Sequence, residues 1–113
     1  MRGKRSLLLL VPALLLAAMA CELLTPKSEG EKLWSDLCAE CHGADGAGNT
    51  PRYMGDAYAD LRDDAWKTDG DRATVEGVVR EGIFGQMPAH DELTAAQMRA
   101  LLDYFYKMRG ERE

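Results

Sequence analysis

Cys38-Ala39-Glu40-Cys41-His42, followed by Gly43, is the stretch whose residue types and order most restrict the chemistry of this chain. On a helix, Cys38 and Cys41 stand at i and i+3, so both thiols lie on one face. Two thiols on one face can form two thioether bonds to one edge of a flat ring. His42 follows at once, and its imidazole can turn beneath that ring and bind a metal at its centre. Gly43 lets the chain leave the helix without a side-chain clash. C-x-x-C-H in this order is the attachment signature of c-type haem. Three other chemistries use similar residues. A structural disulfide in a secreted protein needs only the two thiols. A thioredoxin-like pair follows a strand of a βαβ unit, whereas a helical pattern precedes this one. A zinc site would need Cys38, Cys41, His42 and His90 together, and adjacent Cys41 and His42 can hardly both reach one tetrahedral metal. Covalent haem is the reading the residues favour.

An iron held by one histidine has a second axial face. Beyond residue 21 the chain offers His90 and Met54, Met87, Met98 and Met108 for it. Met98 and Met108 belong to a helical apolar stripe, the usual place for methionine. Met54 sits in a Gly-rich loop and stays a candidate. Met87 lies in Gly85-Gln86-Met87-Pro88 between two predicted helices. Pro88 fixes the backbone and removes a donor there, as suits a loop held against a flat ring. His90 is read as an exposed loop residue rather than a rival ligand.

The elements that must position these groups are helical. Ser28 and Glu31 form an S-x-x-E capping box, and Leu33, Trp34, Leu37, Cys38 and Cys41 follow at helical spacing. The apolar stripe thus runs into the haem-binding residues. Residues 43–58 hold Gly43, Gly46, Gly48, Gly55, Asn49 and Pro51 and read as loop. Residues 57–66 carry a weak helical pattern worth one or two turns. Asp71 caps a helix with Val75, Val78 and Val79 on a narrow face, and Gly82 stops it. Residues 83–93 are irregular. Thr94 and Gln97 make a second capping box, ahead of Met98, Leu101, Leu102, Phe105 and Met108, a strongly amphipathic set. No segment alternates as a strand would, and no repeat or second domain is visible.

The 113 residues suffice for one small domain. Arg2, Lys4 and Arg5, then an apolar run over 7–16 and small residues to Ala20, read as a secretory signal peptide over 1–20. Cys21 follows a run that resembles a bacterial lipoprotein box, although Ala18 stands where that box most often has Leu. Ala18-Met19-Ala20 also fits ordinary A-x-A cleavage. Cys21 is therefore the expected lipidation site, with a soluble periplasmic form as the alternative. Residues 21–27 would be a tether, 28–109 the domain and 110–113 a charged tail. Removing 1–20 takes three basic residues and no acid, leaving 11 basic and 19 acidic residues, net −8. Such a surface disfavours nucleic acid and suits a basic docking patch on a redox partner. About 93 residues make a thin core, which a buried haem would enlarge.

Over residues 28–108 the sequence resembles the class I cytochromes c of the monohaem bacterial type. Gly30 and Trp34 precede an intact C-x-x-C-H-G as that family's glycine and aromatic do. Gly85-Gln86-Met87-Pro88 resembles the family's methionine-ligand loop, and Leu101 and Tyr104 its leucine–aromatic pair. The resemblance implies an all-α cytochrome c fold, with three to five short helices around one covalent haem c. Its first and last helices would cross, Gly30 and Trp34 meeting Leu101 and Tyr104. It also implies Cys38 and Cys41 as attachment residues and His42 and Met87 as iron ligands. Ala59-Asp60-Leu61 stands where the family usually has Pro-x-Leu, whose carbonyl accepts from the proximal histidine. Ala59 replaces the proline, and a carbonyl survives that change. Trp66 resembles a tryptophan that bonds a haem propionate, and plain packing explains it equally.

The function implied is one-electron transport by a lipid-anchored periplasmic cytochrome between redox partners. With both axial positions filled and no distal acid–base pair, the chain is expected not to be an enzyme. Two alternatives stand beside this: a haem-based ligand sensor with a labile Met87, and a permanent haem subunit of a larger respiratory enzyme.

Overall fold

The computed structural model describes residues 16, 25–62 and 71–110. Cys21, Trp66, most of the leader and residues 111–113 lie outside the described residues. Four helices follow in order: α1 Glu29–Leu37, α2 Ala39–His42, α3 Arg72–Glu81 and α4 Ala95–Met108. No strand occurs among the described residues, which hold a single isolated bridge between Ile83 and Met87. The architecture is the all-helical one expected of a small cytochrome c.

Each long helix starts where its cap does. The Ser28 hydroxyl accepts from the Glu31 N–H at 3.2 Å, with Glu29 and Glu31 at the positive end of the helix dipole. Asp71 accepts from the Thr74 N–H at 3.0 Å, and these Thr74 bonds hold its carboxyl below the usual range. At α4 the box is reciprocal: Gln97 N–H donates to Thr94, and Thr94 N–H donates to the Gln97 side chain. Gly82 ends α3 at φ +68°, a backbone region that favours glycine.

The core lies between α1 and α4, with α3 against α4. Met98, Leu101 and Leu102 are its most enclosed side chains. Burying each contributes on the order of 1.5–3 kcal/mol. Trp34 is buried on α1 and stacks on Phe105 of α4, ring centres 6.1 Å apart. A Cβ added at Gly30 would land on the Ala100 carbonyl and 2.8 Å from Tyr104 Cβ. The close approach expected at Gly30 is therefore present, with Ala100 rather than Leu101 as the backbone partner. α3 is tied down by the Arg72–Asp103 ion pair and by Arg80, which donates to the Leu93 carbonyl at 3.2 Å.

Two expectations fail. The first helix does not run unbroken into the haem motif. It stops at Leu37, Cys38 lies between the two helices at φ −115° and ψ −39°, and α2 starts at Ala39. Residues 57–62 are turns and bends, not helix. Their backbone partners are distant: Leu61 N–H donates to Gly46 O at 2.8 Å, which no i→i−4 ladder allows.

Candidate functional site

The interruption at Cys38 leaves both thiols on one wall. The His42 N–H donates back to the Cys38 carbonyl at 2.9 Å, closing a single turn that carries Cys41 and His42. Cys38, Cys41 and His42 all line one cleft of about 1280 Å³, counting the part open to solvent. Neither cysteine is in a disulfide. Burial pushes the Cys38 thiol up to about 12, with Cys41 adding to the shift. Among the described residues no three His, Cys, Asp or Glu side chains gather as a metal cage. The zinc alternative thus has no ligand set there.

His42 is aimed by its other nitrogen. Its Nδ1 lies 2.9 Å from the Ala59 carbonyl oxygen. A carbonyl only accepts, so Nδ1 is the donor and Nε2 keeps its lone pair. The loop that supplies this carbonyl is held from several sides. Gly48 N–H donates to His42 O at 2.7 Å, and Arg109 at the end of α4 donates to Leu61 O. A Cβ on Gly48 would stand 2.6 Å from the Ala59 carbonyl carbon, at φ +69°. Thr50, buried, donates from Oγ1 to the Cys41 carbonyl at 3.3 Å. Trp34 Nε1 donates to the Gly43 carbonyl at 3.0 Å and joins the helix core to the exit of the motif.

Of the methionines in the described residues, Met87 alone lines the cleft. Met54 is exposed, Met98 is wholly in the core and Met108 packs against it. The Met87 backbone is clamped by two bonds with Ile83, each 2.8 Å. A Cβ on Gly82 would meet Met87 O at 2.6 Å and Ala89 N at 2.7 Å, so glycine there lets the loop lie against the end of α3. Ala59 and Leu61 line the same cleft. His90, expected to be exposed, does so too. Its side chain is only 12% exposed, with Nδ1 3.2 Å from Glu92 Oε1. Sequence reasoning missed Gly48 and Thr50, and it took Gly82 only as a helix stop. Each acts through a contact distant along the chain, which no local spacing reports.

Residues 25–105 match the family Cytochrome C oxidase, cbb3-type, subunit III. The chain belongs to that family. It is 39% identical over 84 residues to the Cbb3-type cytochrome c oxidase subunit CcoP of Cereibacter sphaeroides, covering 74% of this chain and 28% of that one. It is 33% identical over 89 residues to the CcoP subunit of Rhodobacter capsulatus, covering 72% and 29%. The FixP subunit of Azorhizobium caulinodans matches at 33% over 88 residues, covering 76% and 29%. The chain thus spans less than a third of the length of these relatives. No solved structure matches it. The domain is a monohaem, class I-like cytochrome c, and its cofactor is haem c, covalently bound, with iron. The expectation that the chain is not an enzyme is overturned, because the family and these relatives are subunits of a respiratory oxidase. A subunit of an oxidase needs no acid–base pair of its own.

The residues present fit the group. The cleft wall is mostly apolar, with Leu37, Val75, Val79 and Leu102 on it. Into it open two thiols, an imidazole held in one tautomer and a thioether sulfur. No helix among the described residues is long and apolar enough to cross a membrane.

Proposed function

We propose that the chain is an electron-transferring haem subunit of a cbb3-type respiratory oxidase, held at the periplasmic side of a bacterial membrane. Cys38 and Cys41 would form the thioethers, and His42 and Met87 would bind the iron. The haem supplies a one-electron couple. The chain's residues supply everything that tunes it. Ala59 orients His42 and raises its basicity, Met87 sulfur favours the reduced state, and the apolar wall keeps water away. One observation carries this reading: the only described methionine on the cleft that holds Cys38, Cys41 and His42 is Met87.

Membership in an oxidase subunit family favours a permanent subunit over a diffusing carrier. The finer features belong to the same proposal. Residues 1–20 are removed, Cys21 carries lipid, 21–27 is the tether, 28–109 the domain and 110–113 the tail. One acyl chain anchors only marginally and several hold firmly, so a lipidated Cys21 keeps the subunit beside the bilayer. The carbonyl of Ala59 is a supporting contact to His42.

The test begins with protein made by a cytochrome c maturation system. Acid–acetone extraction is expected to leave the colour on the chain. The oxidised protein is expected to show the weak long-wavelength sulfur-to-iron band, lost in Met87→Ala and kept in Met54→Leu. Colour lost to the solvent sinks the covalent reading, and a band that follows Met54 instead sinks the choice of methionine.

A further inference from the structure

His90 is the cleft residue that the proposed function leaves unused. It sits in an irregular segment, yet its side chain is almost enclosed. Two contacts hold it. Its backbone N–H donates to the Val79 carbonyl at 2.9 Å, and its ring Nδ1 lies 3.2 Å from Glu92 Oε1. Glu92 meets the ring with its carboxylate. An ionised carboxylate only accepts, so Nδ1 is the donor. Nε2 is left as the free nitrogen of the ring, with no partner among the described residues.

The same arrangement occurs at His42, where Nδ1 is taken by the Ala59 carbonyl. Both imidazoles line one cleft, and each has Nδ1 tied to an oxygen. A metal-binding histidine typically donates its second N–H to a carboxylate or a carbonyl. His90 therefore carries the support expected of a ligand. It is anchored separately from Met87, which is clamped to Ile83 while His90 hangs from Val79. The sulfur can leave without carrying the imidazole away. An imidazole nitrogen is also the harder donor, so its advantage over sulfur is greater on the oxidised metal.

We propose that His90 is a reserve iron ligand, whose Nε2 takes the second axial position when the Met87 sulfur leaves it. The inference rests on the proposed His42 and Met87 ligation. In the exchange the iron–sulfur bond breaks and an iron–nitrogen bond forms, with no proton or electron transferred. Glu92 acts as a positioning residue, keeping the Nδ1–H tautomer that leaves Nε2 able to coordinate.

The test compares oxidised, haem-loaded Met87→Ala with Met87→Ala/His90→Ala, by electron paramagnetic resonance and by cyanide titration. Met87→Ala is expected to be low-spin with the signature of two imidazoles, and the double variant high-spin. With His90 on the iron nine-tenths of the time, cyanide binds Met87→Ala about tenfold more weakly than the double variant. The comparison is repeated in Met87→Ser, so that it does not hang on the folding of one variant. A high-spin Met87→Ala with the cyanide affinity of the double variant overturns the inference. So does a potential shift in His90→Ala without any ligand exchange, which would instead mark a contact to the haem edge. The Met87 assignment is judged apart from this, by the sulfur-to-iron band of the wild type.

Discussion

Met87→His tests the sixth position through the redox equilibrium. Sulfur is soft and favours the reduced iron, whereas imidazole favours the oxidised form relative to it. The substitution is therefore expected to keep six-coordinate iron and to lower the midpoint potential. Each tenfold change in relative preference moves a one-electron couple by about 59 mV. An unchanged midpoint in a redox titration would mean that Met87 does not bind. Gly48→Ala acts from the opposite face. Its Cβ would press on Ala59, whose carbonyl accepts from His42. Losing that bond makes the imidazole a weaker base and a poorer partner for oxidised iron, so the midpoint is expected to rise. The sulfur-to-iron band should survive, because Met87 is untouched. Thiol chemistry belongs to this scale as well. Burial pushes Cys38 up to about 12, so in the folded chain it stays a poorly reactive thiol at neutral pH.

Two glycines distinguish packing from ligation among the elements. Gly30→Ala drives a methyl group into the α4 backbone at Ala100, and Gly82→Ala drives one into the Met87 loop. Overpacking of this kind costs about 1–3 kcal/mol. Both variants are expected to unfold at lower denaturant, but only Gly82→Ala is expected to weaken the sulfur-to-iron band. Equal spectra in the two would show that the end of α3 does not position Met87. These pairs also mark what the sequence reveals. The caps at Ser28, Asp71 and Thr94 were legible because each is a bond over three residues. The α4 stripe was legible because its burial follows one helical period. The loop from Gly43 to Arg62 was not, because its shape comes from bonds such as Leu61 N–H to Gly46 O and Arg109 to Leu61 O. A weak helical period over 57–62 lost to those partners. The placement of His90 on the cleft was hidden for the same reason, since its backbone N–H is held by the Val79 carbonyl, eleven residues back along the chain.

At the scale of the whole molecule, two forces are available for holding a partner, and they respond differently to salt. One is charge: the chain carries 19 acidic against 14 basic residues. Its reach falls from about 10 Å at 0.1 M salt to about 3 Å at 1 M. The other is exposed apolar surface around the Met87 turn and on the cleft wall. Phe84 is fully exposed beside Ile83, on the turn that ends at Met87, and Tyr58 is exposed on the cleft wall. Burying such groups is insensitive to screening, and lasting interfaces are the more apolar ones. A carrier that comes and goes would rely on charge, whereas a permanent oxidase subunit would rely on this apolar surface. The expected outcome follows from the proposed role as an oxidase subunit. In mild detergent the haem-loaded protein stays with the oxidase at 1 M salt, while its rate of association falls. Phe84→Ser releases it at low salt without changing its absorption spectrum. If the proposed lipid is on Cys21, Cys21→Ser lowers its share in the membrane fraction yet leaves assembly intact at high protein concentration, because a lipid would raise the local concentration without forming the contact. Release of the wild type by salt alone, with Phe84→Ser indistinguishable from it, would return the protein to the class of diffusing carriers.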